Sequence, residues 1–299
     1  MWLDGKDING DRQAESASDF LVGGKVGSWA DRSGYANTRT QGTTANQPTY
    51  LNGGGLVFDG NDSLTGNLPG SLTGNPGFTA IIMADTTSSS GRVLGLGSPN
   101  SSDIIRLLDN GSFVNLFGNN TIRQSGDYNF YNGKNIGVWR KPSGSNFDKG
   151  EFKLNGSDKG LTLSGNADAS GFSLSTASNG LTIGHPGGGT IGTIYEVLLY
   201  TNDLPDYTIK RMEGYLAHKW GSTAKLPSTH PFKSTAPDFG GSQTIETSGN
   251  TIPVVSSTPT ISVDIGLFSL EEYGCYATSG QRWHSNRIPR ERIIQYQLR

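Results

Sequence analysis

Across most of this chain, apolar residues alternate with polar ones in short runs broken by Gly, Asn, Asp and Ser. A period of two is the mark of a half-buried strand. Residues 194–200, IYEVLLY, form the clearest run, β-branched and aromatic throughout. Alternation predicts Ile194, Glu196, Leu198 and Tyr200 on one face, with Tyr195, Val197 and Leu199 on the other. Further strands are expected at 26–29, 56–58, 78–83, 92–96, 104–108, 112–117, 136–140, 151–154, 172–174 and 181–183. Asp109-Asn110-Gly111 and Asn155-Gly156 read as hairpin turns, since Asn-Gly tolerates the positive φ that such turns need. That makes roughly eleven to fourteen strands at sandwich-like spacing.

One segment breaks the pattern. Ile209, Met212, Leu216 and Trp220 recur at spacings of three and four, the apolar stripe of a single helix. Pro205 suits the first turn of that helix, Asp206 favours its positive end, and Gly221 is a C-terminal stop. A lone helix among strands is expected to plug or cap a sheet edge. Residues 35–47 lack an apolar pattern and read as a surface loop.

Composition supports many strands joined by tight turns: 43 glycines in 299 residues, 17% charged residues and a formal net charge of −2. There is no basic field to hold a nucleic-acid backbone, and no apolar run long enough for a membrane span. Cys275 stands alone, so no internal disulfide is available. After residue 233 the chain turns Ser-, Thr-, Gly- and Pro-rich, which predicts a linker or extended arm over 234–264. Residues 265–299 carry Leu267, Phe268, Tyr273, Tyr276 and Trp283 among others, too much large apolar surface for so short a segment to bury alone. This predicts a docking or assembly segment.

EGYLAHKWG at 213–221 followed by LPSTHPFK at 226–233 resembles the end of the laminin-G-like, concanavalin A-like jelly-roll modules of marine bacterial and phage proteins. Further matching motifs run in the same order: WLDGKD at 2–7, VGSWADRSG at 26–34, QPTY at 47–50, LVFDGNDSL at 56–64, GFTAIIMAD at 77–85, KLNGS at 153–157 and LTIGHPGGGTIGTIYEVLLYTNDL at 181–204. The resemblance covers residues 1–233. It implies an all-β jelly-roll sandwich of two antiparallel sheets with one short helix, followed by the C-terminal arm, and a structural role for His218 and His230.

Glycoside hydrolysis normally needs two carboxyl groups about 5–9.5 Å apart. On one strand that means acids two or four apart, whereas Glu196 has Ile194 and Leu198 at those positions. The chain is therefore expected not to be an enzyme. Asp59, Asn61 and Asp62 bring three oxygen side chains to one loop, which suits either a Ca²⁺ site or an Asx turn capping its own backbone. Exposed-looking aromatics interleaved with amides and acids can stack on a sugar and bond its hydroxyls. Tyr35, Tyr128, Phe130, Tyr131 and Trp139 are of this kind, and His185 in its Gly-rich loop joins the candidate ligand set. The segment 127–132 reads equally as a twisted edge strand.

These features favour a surface recognition or decoration module of a phage or virus particle, a homo-oligomer docked to other structural proteins through 234–299. The single Cys and the lack of a leader-like segment support that expectation. The alternatives are a carbohydrate-binding module of a secreted bacterial protein, extracellular or at the cell surface, and a glycosidase or lyase.

Overall fold

The computed structural model describes residues 1–13, 15, 24–87, 93–97, 104–109, 112–116, 120–123, 133–145, 149–160, 162–164, 174, 180–185, 190–239, 244–247, 250–253, 268–270 and 275–277. The chain divides into two compact units, Met1–Pro237 and Asp238–Arg299. In chain order the first unit holds β1 (Trp2–Asp4), β2 (Ser28–Trp29), β3 (Arg39–Thr40), β4 (Thr49–Tyr50), β5 (Leu56–Asp59), β6 (Ser63–Gly66), β7 (Phe78–Thr86) and β8 (Leu94–Gly97). Next come β9 (Ile104–Asp109), β10 (Ser112–Leu116), β11 (Asn120–Arg123), β12 (Asn135–Lys141), β13 (Glu151–Leu154), β14 (Ser157–Asp158), β15 (Thr162–Ser164), β16 (Leu181–Gly184) and β17 (Ile191–Tyr200). Helix α1 (Asp206–Trp220) follows.

The strands form two antiparallel sheets. The first runs β14-β13-β12-β7-β17-β5-β4, with β1 pairing on the same edge of β17 beyond the end of β5. The second runs β15-β11-β10-β9-β8-β16-β6-β3-β2. Between them lies one core: Phe58, Phe78, Ala80, Ile82 and Trp139 of the first sheet meet Leu64, Leu94, Leu96, Leu181 and Ile183 of the second.

The other face of the first sheet is covered as well. Ile81, Met83, Ile136 and Val138 pack on Ile209, Leu216, Ala217 and Trp220 of α1. The helix thus covers the middle of a sheet face and does not plug an edge. This explains why β7 reads as an unbroken apolar run: both of its faces are buried. Pro205 is the N-cap residue of α1, one position earlier than expected, and Asp206 opens the first turn. Gly221 ends the helix in the left-handed conformation (φ 71°), its N–H bonding Ala217 O. The segment after the helix is tied back by His218, whose Nε2 pairs with Phe232 O at 2.9 Å, and by His230 beside Glu213 at 3.4 Å.

Strand alternation in β17 is interrupted by a bulge. Ile194 pairs with Ala84 and Glu196 with Met83, so Tyr195 is an extra residue. Ile194 therefore shares the inter-sheet core with Val197 and Leu199, while Tyr195 joins Leu198 under the helix. The facing expected for Ile194 and Tyr195 is reversed, because strict alternation cannot anticipate an inserted residue. A second correction lies in the predicted loop 35–47. It contains β3, whose Arg39 is only 1% exposed and donates to Asn67 O at 3.1 Å. Burial pushes the Arg39 pKa down to about 10.

Asn155 (φ 51°) and Gly156 (φ 79°) form the expected hairpin turn between β13 and β14. At Leu174 the described backbone makes an isolated bridge to Gly74. In the second unit β18 (Thr244–Thr247) pairs with β19 (Asn250–Pro253), and β20 (Phe268–Leu270) with β21 (Cys275–Ala277). The first of these hairpins falls within the stretch whose composition reads as a linker.

Candidate functional site

The bulge at Tyr195 places Glu196 beneath α1, where it is 0% exposed and surrounded by donors. Its Oε1 accepts from Trp2 Nε1 at 2.7 Å and Tyr215 Oη at 2.9 Å. Oε2 accepts from Trp220 Nε1 and Lys219 Nζ, both at 2.7 Å. Lys219 Nζ also reaches Asp4 Oδ1 at 2.6 Å, and Asp4 is the register partner of Glu196 across β1 and β17. Arg32 completes the chain, bonding Asp4 at 2.6 Å and Asp7 at 2.8 Å. Burial raises the Glu196 pKa against the opposing pull of Lys219 and Trp220. Burial beside Glu196 and Asp4 raises the Tyr215 hydroxyl far above its ordinary range, so it stays a donor.

The sequence offers no acid at i±2 of Glu196, yet Asp4 supplies a carboxylate across the ladder. The two share one ammonium at hydrogen-bond distance. Both oxygens of Glu196 are fully engaged and sealed from solvent, so the cluster binds strand to helix and leaves no lone pair for a substrate. Only the pairing of the first strand with the last could have revealed it.

The predicted site residues scatter. Trp139 is 2% exposed, with its ring 5.0 Å from that of Phe152 in the inter-sheet core. Its register partner Ala80 points into the same core, so Trp139 is a packing residue and not a stacking platform. Tyr128, Phe130 and Tyr131 lie outside the described residues. His185 follows the end of β16 and is half-buried.

Asp59, Asn61 and Asp62 form an Asx-type loop. Asp62 Oδ2 accepts the Asp59 N–H at 3.0 Å, and Asp59 Oδ1 accepts the Asn61 N–H at 3.0 Å. Lys25 Nζ lies 3.4 Å from the buried Asp62, so an ammonium already stands where a cation would. This donor set does not fit Ca²⁺, and no group of three or more His, Cys, Asp or Glu suited to a metal occurs among the described residues.

The outer face of the second sheet is built differently. Register aligns Ser28, Thr40, Thr65, Thr182 and Gly95 in one row across β2, β3, β6, β16 and β8. Directly opposed residues in an antiparallel pair share a face. The neighbouring row is apolar in Leu64, Ile183 and Leu94. All three lie in the inter-sheet core, which puts the polar row on the opposite face.

Such a row, hydroxyl-bearing and without charge, suits a ligand rich in hydroxyls. Thr182, the last hydroxyl of this row, is 3% exposed, and its Oγ1 has no hydrogen-bond partner among the described residues. At the β2–β3 end the connecting hairpin loop presents Tyr35, 80% exposed. Asp31 organises that loop: it accepts the N–H groups of Trp2, Ser33 and Asn37 at 2.8–2.9 Å and the Ser33 hydroxyl at 2.8 Å. Burial of Asp31 works to raise its pKa, but these bonds outweigh it and hold the carboxyl below its ordinary value.

No family model matches this chain, and no curated protein matches it. Solved structures do. An arabinofuranosidase complexed with arabinofuranosyl-α-1,2-xylobiose aligns over 74% of this chain and 55% of its own, at 16% identity and a TM-score of 0.50. The Trypanosoma rangeli sialidase in complex with sialic acid aligns over 73% of this chain at 16% identity and a TM-score of 0.45. The Ruminococcus gnavus sialidase CBM40 bound to α2,3-sialyllactose aligns over 52% of this chain and 93% of its own, with 15% identity and a TM-score of 0.33. This chain spans 32% of the Trypanosoma sialidase. At such identities the likeness is one of fold, an all-β sandwich.

Two expectations are corrected by these comparisons. A glycosidase, the arabinofuranosidase, shares this fold at a TM-score of 0.50, and the reading as a virion decoration component is corrected on that finding. The expectation that the chain is not an enzyme is corrected on the same finding, since an enzyme shares the fold.

Proposed function

We propose that this chain is a carbohydrate-recognition module of a glycan-processing protein from a secreting bacterium, built on a laminin-G-like, concanavalin A-like jelly roll. Its ligand face is the outer face of the second sheet. One observation carries the reading: register lines up the hydroxyl-bearing Ser28, Thr40, Thr65 and Thr182 across β2, β3, β6 and β16, on the face away from the inter-sheet core. Solubility alone asks for any polar residues there. A row confined to Ser and Thr keeps the face hydrogen-bonding yet uncharged, which matches sugar hydroxyls. The carbohydrate ligands named for the arabinofuranosidase and CBM40 structures support the same class.

The test is affinity electrophoresis of the full chain through gels holding xylan, laminarin, alginate or pectate. Retardation by at least one polymer is expected, and it should weaken in a Thr40→Val/Thr65→Val double variant, which keeps strand propensity and removes two hydroxyls. Free migration in every gel, or equal retardation of the variant, would overturn the reading. Reducing-end release from the retarding polymer reports whether recognition is coupled to cleavage.

A further inference from the structure

The cluster around Glu196 has no room for an outside substrate, but its own groups carry the parts of a reaction with one another. Lys219, in the last turn of α1, places Nζ 2.6 Å from Asp4 Oδ1, 2.7 Å from Glu196 Oε2 and 2.9 Å from Tyr215 Oη. That is one acceptor for each ammonium hydrogen. Asp4 Cγ lies one carbon–oxygen bond beyond Oδ1, hence within about 3.8 Å of Nζ. Reacting atoms poised for attack stand about 3–3.5 Å apart, so a small rotation of either side chain is enough.

The acyl carbon is polarised through both of its oxygens. Arg32 Nη1 donates to Asp4 Oδ2 at 2.6 Å, and the backbone N–H of Lys6 donates to Oδ1 at 2.9 Å. Water is largely excluded: the side chains of Asp4, Lys219 and Glu196 are 4%, 15% and 0% exposed. An amide formed here is shielded from hydrolysis.

We propose that Lys219 and Asp4 condense into an intramolecular amide bond, with Glu196 carrying a proton between them. The ammonium first gives one proton along its hydrogen bond to Asp4 Oδ1, leaving a neutral amine beside a carboxylic acid. Nζ then attacks Cγ and forms the carbon–nitrogen bond, while the charge developing on Oδ2 falls on Arg32, a donor already in place. Glu196 Oε2 takes the second proton from Nζ and returns it to Oδ1, both oxygens lying against the same nitrogen. The bond from Cγ to Oδ1 breaks and water leaves with that oxygen and two of the ammonium hydrogens; nitrogen keeps the third. One positive and one negative charge vanish together, Glu196 ends as it began, and no oxidant or co-reactant is needed. Burial raises the Glu196 pKa, which suits a carboxylate that must hold a proton briefly.

The bond joins β1 to the end of α1 and closes a covalent loop around nearly all of Met1–Pro237. Such a loop restricts the unfolded chain as a disulfide does, in a chain whose single cysteine offers no internal disulfide. It stands independently of any glycan.

Intact mass spectrometry of the full chain is the first measurement, and the mass should fall one water short of the sequence. Trypsin should fail to cut after Lys219, and residues 1–6 should be recovered joined to 212–225. Lys219→Arg keeps a cation between Asp4 and Glu196 but cannot form this amide, so it should show its full sequence mass. Glu196→Gln, checked for folding by circular dichroism, should also retain the water. A parent chain of full sequence mass that trypsin cuts after Lys219 overturns the inference. So does a parent one water short whose two peptides separate, because Asp4-Gly5 can close to a succinimide with the same loss. A folded Glu196→Gln variant that still joins the two peptides overturns the role given to Glu196.

Discussion

Replacing Glu196 by Gln keeps the shape of the side chain and removes its charge. In the native cluster all four hydrogen bonds run toward the carboxylate, from Trp2, Tyr215, Trp220 and Lys219. An amide can accept on one oxygen only. Whichever way it is turned, its NH₂ faces two donors, and Lys219 keeps Asp4 as its one carboxylate in the pair. The residue is fully buried, so water cannot compensate. Breaking a buried ion pair costs about 3–5 kcal/mol, well above the roughly 1 kcal/mol of an ordinary hydrogen bond. For a unit the size of Met1–Pro237 this lowers Tm by roughly 10 °C. Urea titration followed by tryptophan fluorescence is the assay, since Trp2 and Trp220 are both donors to the lost carboxylate. Trp220→Phe, which deletes one donor but keeps most of the ring, should cost less. A Glu196→Gln variant within about 0.5 kcal/mol of the parent, the range of surface substitutions, would refute the claim that this cluster ties β1, β17 and α1 together.

Two other outcomes are expected. Lys141 is buried, its Nζ donating to Asn75 Oδ1 and to the carbonyls of Pro76 and Pro142, and burial pushes its pKa down to about 8. Between about pH 8 and its ordinary 10.5 the unfolded chain holds more protons than the native one. The Lys141 contribution to stability therefore rises with pH across that window, and the difference between the parent and Lys141→Met, measured by urea titration at each pH, should change accordingly; a constant difference would contradict the assignment. Gly214→Ala would bring a Cβ to 2.3 Å from Phe232 Cβ. The gain in helix propensity of up to about 1 kcal/mol is outweighed by an overpacking cost of about 1–3 kcal/mol, so the variant should melt lower than the parent.

Much of the sandwich is legible in the sequence because strand alternation, Asn-Gly turns and helix stops are local chemistry. Asn155-Gly156 turns where the residues require it, and Gly221 ends α1 where no side chain resists the left-handed conformation. Arg39 was not legible, since a polar residue in a polar stretch carries no sign of burial. Trp139 misled for a related reason: an aromatic beside a charged residue reads the same whether its strand faces a ligand or a second sheet.

Local sequence by itself determined that β7 and β17 are strands, from their apolar β-branched runs, that 206–220 is a helix, from apolar residues three and four apart, and that the chain makes a layered β structure. Which faces meet was decided only in three dimensions. The bulge at Tyr195 turns Glu196 under the helix, and the pairing of β1 with β17 brings it Asp4 from 192 positions earlier in the chain. The polar row has the same origin, for Ser28, Thr40, Thr65 and Thr182 are unremarkable residues in their own segments. Register makes them one surface, and register depends on which strands become neighbours, which no local pattern encodes.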